Sequence, residues 1–157
     1  MIKILKNTVS DEQTKLRSCE QLEKDTWINL IHPTNEEIKQ VASEVGIDSH
    51  MISQVLVEKE LPRIKKSDNA VLVVIDIPYT KDKRVKNKYV TYPIGIILSD
   101  NSYIVTVSLV EHEFLKKIEA EDNTEFFTDR KVRFLIQMLL KSAEVYLSTL
   151  NLIDEDI

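Results

Sequence analysis

The stretch from Ala70 to Ile77 leaves little choice of fold. Within it Val71, Leu72, Val73, Val74 and Ile75 form an unbroken apolar run. A strand with one wet face would alternate apolar with polar residues, so this run reads as a central strand buried on both faces. Such a strand needs cover above and below. The amphipathic helices described next are the available cover, which places the chain in the α/β class, with a sheet sandwiched by helices.

Pro78 is expected to close that strand. Tyr89 to Leu98 reads as a second strand, with Pro93 and Gly95 inside it predicting a bulge or a local edge. Ser99-Asp100-Asn101 is a turn, and Ser102 to Leu109 alternates as a third strand. The three runs predict an antiparallel meander, so the sheet is expected to be mixed but largely antiparallel. Earlier in the chain, Met1 to Thr8 and Trp27 to Ile31 read as strands, while Ser10 to Lys24 is polar and poorly patterned.

Helix signals are sharper. Thr34 lies three residues before Glu37, the capping-box spacing, with Pro33 just outside. Ile38, Val41, Ala42 and Val45 then share one face, and Gly46 sits where a helix-ending glycine belongs. A short helix from about Asp48 carries Met51, Ile52, Val55 and Leu56 and is expected to run to Leu61-Pro62. After Glu111, Phe114, Leu115 and Ile118 make another helical face. The last helix begins near Asp129. Its residues Val132, Ile136, Leu139, Ala143, Tyr146, Leu150 and Ile153 step by four and three, the heptad seam of a coiled coil or a long helix pair. Leu135, Leu140 and Leu147 widen that stripe. This seam is expected to carry packing within the domain. Asp154, Glu155 and Asp156 oppose the helix dipole and give no stop signal, so the helix is expected to continue past Ile157. The division predicted is a sandwich over 1–110 and a helical segment over 111–157.

Several function classes are disfavoured. A net charge of −5 argues against nucleic-acid binding, which runs on basic surface. Two glycines in the whole chain exclude a glycine-rich phosphate loop. No Gly-x-Ser-x-Gly turn is present, and the one cysteine, Cys19, has no adjacent base. His32, His50 and His112 form no ligand pair at helical spacing and read as structural or solvent-facing. Glu36 and Glu37 are explained by the helix start they sit on. The basic run Lys81, Lys83, Arg84, Lys86 and Lys88 reads as a solvated hairpin loop, with binding of an anionic lipid surface or a phosphate-bearing ligand as the alternative. The acidic run Glu119, Glu121, Asp122 and Glu125 does not by itself converge oxygens on a hard cation. No apolar run of about 18 residues exists, and no secretion signal is visible at the start. The expectation is a non-enzymatic, intracellular domain without a cofactor.

The order of several segments resembles a known family. Trp27-Ile28-Asn29-Leu30, Pro33-Thr34, the helix to Gly46-Ile47, Leu61-Pro62-Arg63-Ile64-Lys65 and the strand Val71 to Ile77 follow one another as in the N-terminal cytosolic domain of CorA-type magnesium transporters. Tyr146, Leu147, Leu150, Ile153 and the acidic residues after them resemble that family's first long cytosolic helix. The resemblance spans about 27–157. It implies an α/β/α sandwich, the long helices of a cytosolic bundle, and a homopentameric channel for magnesium or another divalent cation. It also implies a place at the cytoplasmic face of the membrane, reached only through pore helices that this chain lacks. In that family a Leu-Glu-Asp triplet supplies carboxylates to a regulatory inter-subunit magnesium site. The matching residues here are Ile52, Ser53 and Gln54, and a further acidic position matches Leu140. None carries the charge a hard cation wants, so the resemblance implies that the usual site is missing or built differently. The alternative reading is a free-standing ligand- or protein-binding module of the same fold.

Overall fold

The computed structural model describes residues 1–10, 13–57, 60–80, 89–121 and 124–155. Seven strands form one sheet: β1 (Ile2–Ser10), β2 (Gln13–Ser18), β3 (Thr26–Ile31), β4 (Arg63–Lys66), β5 (Ala70–Thr80), β6 (Tyr89–Ser99) and β7 (Tyr103–Ser108). Their order across the sheet is β2-β1-β3-β7-β6-β5-β4. Every pairing is antiparallel except β3 with β7. Helices α1 (Asn35–Val45) and α2 (Ser49–Ser53) connect β3 to β4, whereas α3 (Glu113–Ala120) and α4 (Lys131–Glu155) follow β7.

Strand alternation divides the core in two. Ile28, Leu30, Leu72, Val74, Ile97, Val105 and Val107 point to the α1/α2 face. Trp27, Val73, Ile77, Ile94, Ile96 and Ile104 point to the face that carries α3 and α4. The architecture is therefore a three-layer α/β/α sandwich around a mostly antiparallel sheet, and the doubly buried run at 70–77 has cover on both sides.

Local signals explain the first helix well. Thr34 Oγ1 accepts from the Glu37 backbone N–H at 3.2 Å, and Glu37 Oε2 accepts from the Thr34 N–H at 2.9 Å, so the capping box is closed both ways. The Thr34 hydrogen bond, joined by one from the N-terminal ammonium, lowers the Glu37 pKa. Gly46 ends α1 at φ 79°, a left-handed conformation that favours glycine.

The sheet departs from expectation at four points. β5 is second from an edge, and β7 is the middle strand, because β3 inserts parallel to β7 instead of leaving the meander alone. Pro78 does not end β5, which continues to Thr80 opposite Tyr89. No bulge forms at Pro93 or Gly95, since the β5–β6 register is continuous. A local edge does occur: β7 stops at Ser108 opposite Ile94, so on that side Pro93 lies just past the end of its neighbour. Gly95 is needed for approach, since a Cβ there would lie 2.6 Å from Val55 Cγ2. The polar stretch 10–24 contains β2, an edge strand whose buried apolar anchor is Leu16. Finally, α2 ends at Ser53, well before Leu61-Pro62, and β4 occupies Arg63–Lys66 on the far edge.

Candidate functional site

Helix α4 has two apolar faces. Phe134 and Met138 are fully buried against the sheet, Val145 packs beside them, and the Phe134 ring meets Trp27 at 5.2 Å and Phe126 at 5.3 Å. Tyr146 Oη donates to the Asp76 carbonyl at 2.5 Å, and burial raises the phenol pKa. The predicted seam is a different stripe. Val132 is 66% exposed, Ile136 51%, Leu139 38%, Tyr146 37% and Leu150 54%; Ala143 is also exposed and Ile153 is half-buried. Leu140 and Leu147 extend it, at 54% and 62%. Packing within the domain is thus carried mainly by Phe134, Met138 and Val145, joined from the predicted stripe by Leu135, which turns inward, and by the Tyr146 hydroxyl. Both stripes repeat at helical spacing, and the sequence pattern is stronger on the outward one. Isolated exposed leucines are ordinary, but a continuous stripe along a helix marks a surface built to be covered.

Ser53, Gln54 and Leu140 are not brought together. α2 packs on one face of the sheet and α4 on the other. Ser53 is exposed, and its Oγ donates to the His50 carbonyl at 3.4 Å. Gln54 Oε1 accepts from Arg63 Nη2 at 2.8 Å, and Arg63 also pairs with Glu60. A guanidinium therefore occupies the space beside Gln54. Arg63 belongs to the Leu61–Lys65 segment that carried the resemblance, but its contact with Gln54 was not legible in the sequence.

A chain of polar contacts runs from the core to the surface under α3. Trp27 Nε1 donates to Thr106 Oγ1 at 2.8 Å, Thr106 donates to Asn29 Oδ1 at 2.9 Å, and Asn29 Nδ2 donates to Glu119 Oε1 at 3.0 Å. Lys3 Nζ then bridges Glu119 and Glu111, at 3.2 Å to each. Burial lowers the Lys3 pKa, but the two carboxylates outweigh it and the net shift is upward. Glu119, one of the predicted acidic run, is thereby committed inside the fold. Glu121 and Glu125 are exposed, and Asp122 lies outside the described residues.

The histidines divide. His32 and His50 are exposed. His112 is 2% exposed, and its Nε2 has no hydrogen-bond partner. Its ring stands edge-on to Tyr79 at 5.9 Å and to Phe114 at 6.0 Å. Burial pushes its pKa down to about 4. It lines a cleft of about 680 Å³ between α3 and the second half of α4, floored by Ile77, Phe114 and Val145 and rimmed by Lys116, Lys141 and Glu144. Cys19 is partly exposed, and burial with the nearby Glu23 raises its pKa, the wrong direction for a nucleophile. The basic run at 81–88 lies outside the described residues. Among the described residues no cluster of three metal-capable side chains occurs, and no helix is long and apolar enough to cross a membrane.

A family model described as CorA-like Mg2+ transporter protein matches residues 23–157. The chain belongs to the CorA family. Solved structures share its fold. The complete CorA magnesium transporter from Methanocaldococcus jannaschii superposes with a TM-score of 0.76 at 19% identity, covering 99% of this chain and 48% of that one. The soluble domain of CorA from the same organism gives 0.75 at 19% identity, over 99% of this chain and 61% of that one. The ZntB cytoplasmic domain from Vibrio parahaemolyticus RIMD 2210633 gives 0.73 at 10% identity, over 98% and 62%. This CorA-family chain thus spans about half the length of the complete transporter it matches. No curated protein sequence matches it.

Proposed function

We propose that this chain is the cytosolic regulatory domain of a CorA-like divalent-cation transporter, with magnesium as the transported ion and a homopentamer as the assembled state. It sits at the cytoplasmic face of the membrane and is joined to the bilayer only through pore helices outside this chain. The sandwich over 1–110 carries the helical segment 111–157, and α4 begins the lever between domain and pore. The observation behind this reading is the second apolar face of α4. A helix with apolar residues on two sides is stable when protein lies on both, and the described residues cover only one. The family's inter-subunit carboxylate site is missing here or built differently: Ser53 and Gln54 bring no charge, and Gln54 is held by Arg63.

The test is to read the gene past the codon for Ile157. Two apolar stretches of about 20 residues, each long enough to span a bilayer, are expected. A stop codon at that point would sink the transporter reading. It would favour the free-standing module, for which the cleft beside His112 is the candidate ligand site.

A further inference from the structure

We propose that the cleft between α3 and the second half of α4 binds an uncharged aromatic molecule that carries one hydrogen-bonding group, and that His112 Nε2 receives that group. The inference concerns this domain alone and stands whether or not pore helices follow it.

The usual reasons for a histidine do not account for His112. It is the N-cap of α3, a position that favours Ser, Thr, Asp or Asn because their short side chains bond the first helical turn, yet its side chain makes no cap hydrogen bond. The residue is buried, and Nε2 has no hydrogen-bond partner among the described residues. A phenylalanine would fill the same niche and leave no nitrogen unpaired, which is the costly state for a buried polar atom. Burial also holds the ring neutral, with its pKa down to about 4. A neutral imidazole offers an N–H on one nitrogen and a lone pair on the other. That pairs with a hydroxyl or a ring nitrogen and gives a full charge little.

The walls of the cleft suit the same ligand. Lys141, Val145, Ser148 and Leu152 step by four, three and four along α4, so one face of that helix lines it. Ile77 and Phe114 lie at its floor, and Tyr79 stands edge-on to the His112 ring at 5.9 Å. A flat ring entering there meets the edges and faces of other rings, the arrangement that aromatic pairs favour. The volume of about 680 Å³ is that of a small-molecule site. Charge argues against an ion. Three lysines on the lining face four glutamates. Glu111 lies 3.2 Å from Lys3 and 3.7 Å from Lys116, and Glu144 lies 3.6 Å from Lys141. With both signs present and partly paired, the lining attracts neither an anion nor a cation. What it does offer is apolar surface and one unpaired nitrogen.

The experiment titrates the 157-residue chain, labelled with nitrogen-15, with phenol, toluene and benzoate at pH 7.5 and follows it by NMR. Phenol is uncharged at that pH and can donate to or accept from the imidazole. It is expected to bind saturably, with half-saturation on the order of 1 mM for so small a ligand. The backbone amide signals of 113–116 and 145–149 should move, and so should the His112 ring nitrogens. Toluene has the same shape without the hydroxyl, so it should move those amides and leave the ring nitrogens in place. Benzoate should bind more weakly than phenol. In His112→Phe the ratio of phenol to toluene affinity should fall by about tenfold, since the ratio cancels everything but the hydrogen bond. Absence of saturable phenol binding, shifts centred away from α3 and α4, or ring nitrogens that answer toluene as they answer phenol would each overturn the proposal. So would an unchanged ratio in the variant, or benzoate binding more tightly than phenol. A stop codon after Ile157 would leave all of these expectations as they are, so the two tests fail separately.

Discussion

Lowering the pH from 7.5 to 5.0 should destabilise this domain through His112 in particular. The imidazole is buried between Tyr79 and Phe114 with Nε2 unpartnered, and its folded pKa is about 4. In the unfolded chain it returns to about 6.5. The unfolded state therefore binds a proton as the pH drops below 6.5, and the folded state does not until about pH 4. Linkage then removes stability across that window: none at pH 7.5, about 2 kcal/mol by pH 5.0, and about 3 kcal/mol once the pH is below 4. Against a total of about 5–15 kcal/mol for a domain, a loss of this size is easily measured. Urea melts of the parent and of His112→Phe at both pH values isolate the effect, since the carboxylates titrate in both proteins. The variant replaces an unpartnered ring nitrogen with carbon in an aromatic niche, so at pH 7.5 it should be at least as stable as the parent. The parent should lose about 2 kcal/mol more than the variant on going to pH 5.0. Equal losses in the two proteins would show that His112 is not held neutral by burial.

Two further outcomes follow from the contacts. Thr106→Val leaves Trp27 Nε1 and Asn29 Oδ1 without their buried partner, and should cost about 1–3 kcal/mol in chemical denaturation, with a change in Trp27 fluorescence. Magnesium at a few millimolar should shift the melting temperature of this chain little, because Ser53, Gln54 and Leu140 offer no carboxylate. A large, saturable, magnesium-specific stabilisation by calorimetry would contradict that, through binding linkage.

Much of the fold could be read from local signals. The capping box at Thr34, the glycine at 46, the α3 face of Phe114, Leu115 and Ile118, and the β5–β6–β7 meander all stand where sequence pattern puts them. What escaped depends on distant partners. β2 is an edge strand with one strongly buried apolar residue, so its pattern is weak, and it is held by the register with β1. The parallel insertion of β3 beside β7 joins residues nearly eighty positions apart, and no local signal encodes it. For α4 the helix and its outward seam were legible, but not which stripe faces the sheet. Both are apolar, and only the fold shows that Phe134, Met138 and Val145 turn inward. The isolation of His112 was equally invisible, because Tyr79 reaches it from a strand more than thirty residues away.

The claim that α4 is built to be covered on its outer side is tested most directly by thiol accessibility at position 147. Leu147→Cys in the Cys19→Ser background would be labelled in this chain at low concentration and in the longer, membrane-bound protein that the proposed function calls for. Rapid labelling of the dilute chain and labelling slowed more than about tenfold in the longer product are expected, as for a site that opens only at a free-energy cost above ~1.4 kcal/mol. The same fast rate in both would mean that this stripe stays open to water in the intact protein, and the proposed lever would have nothing to bear on.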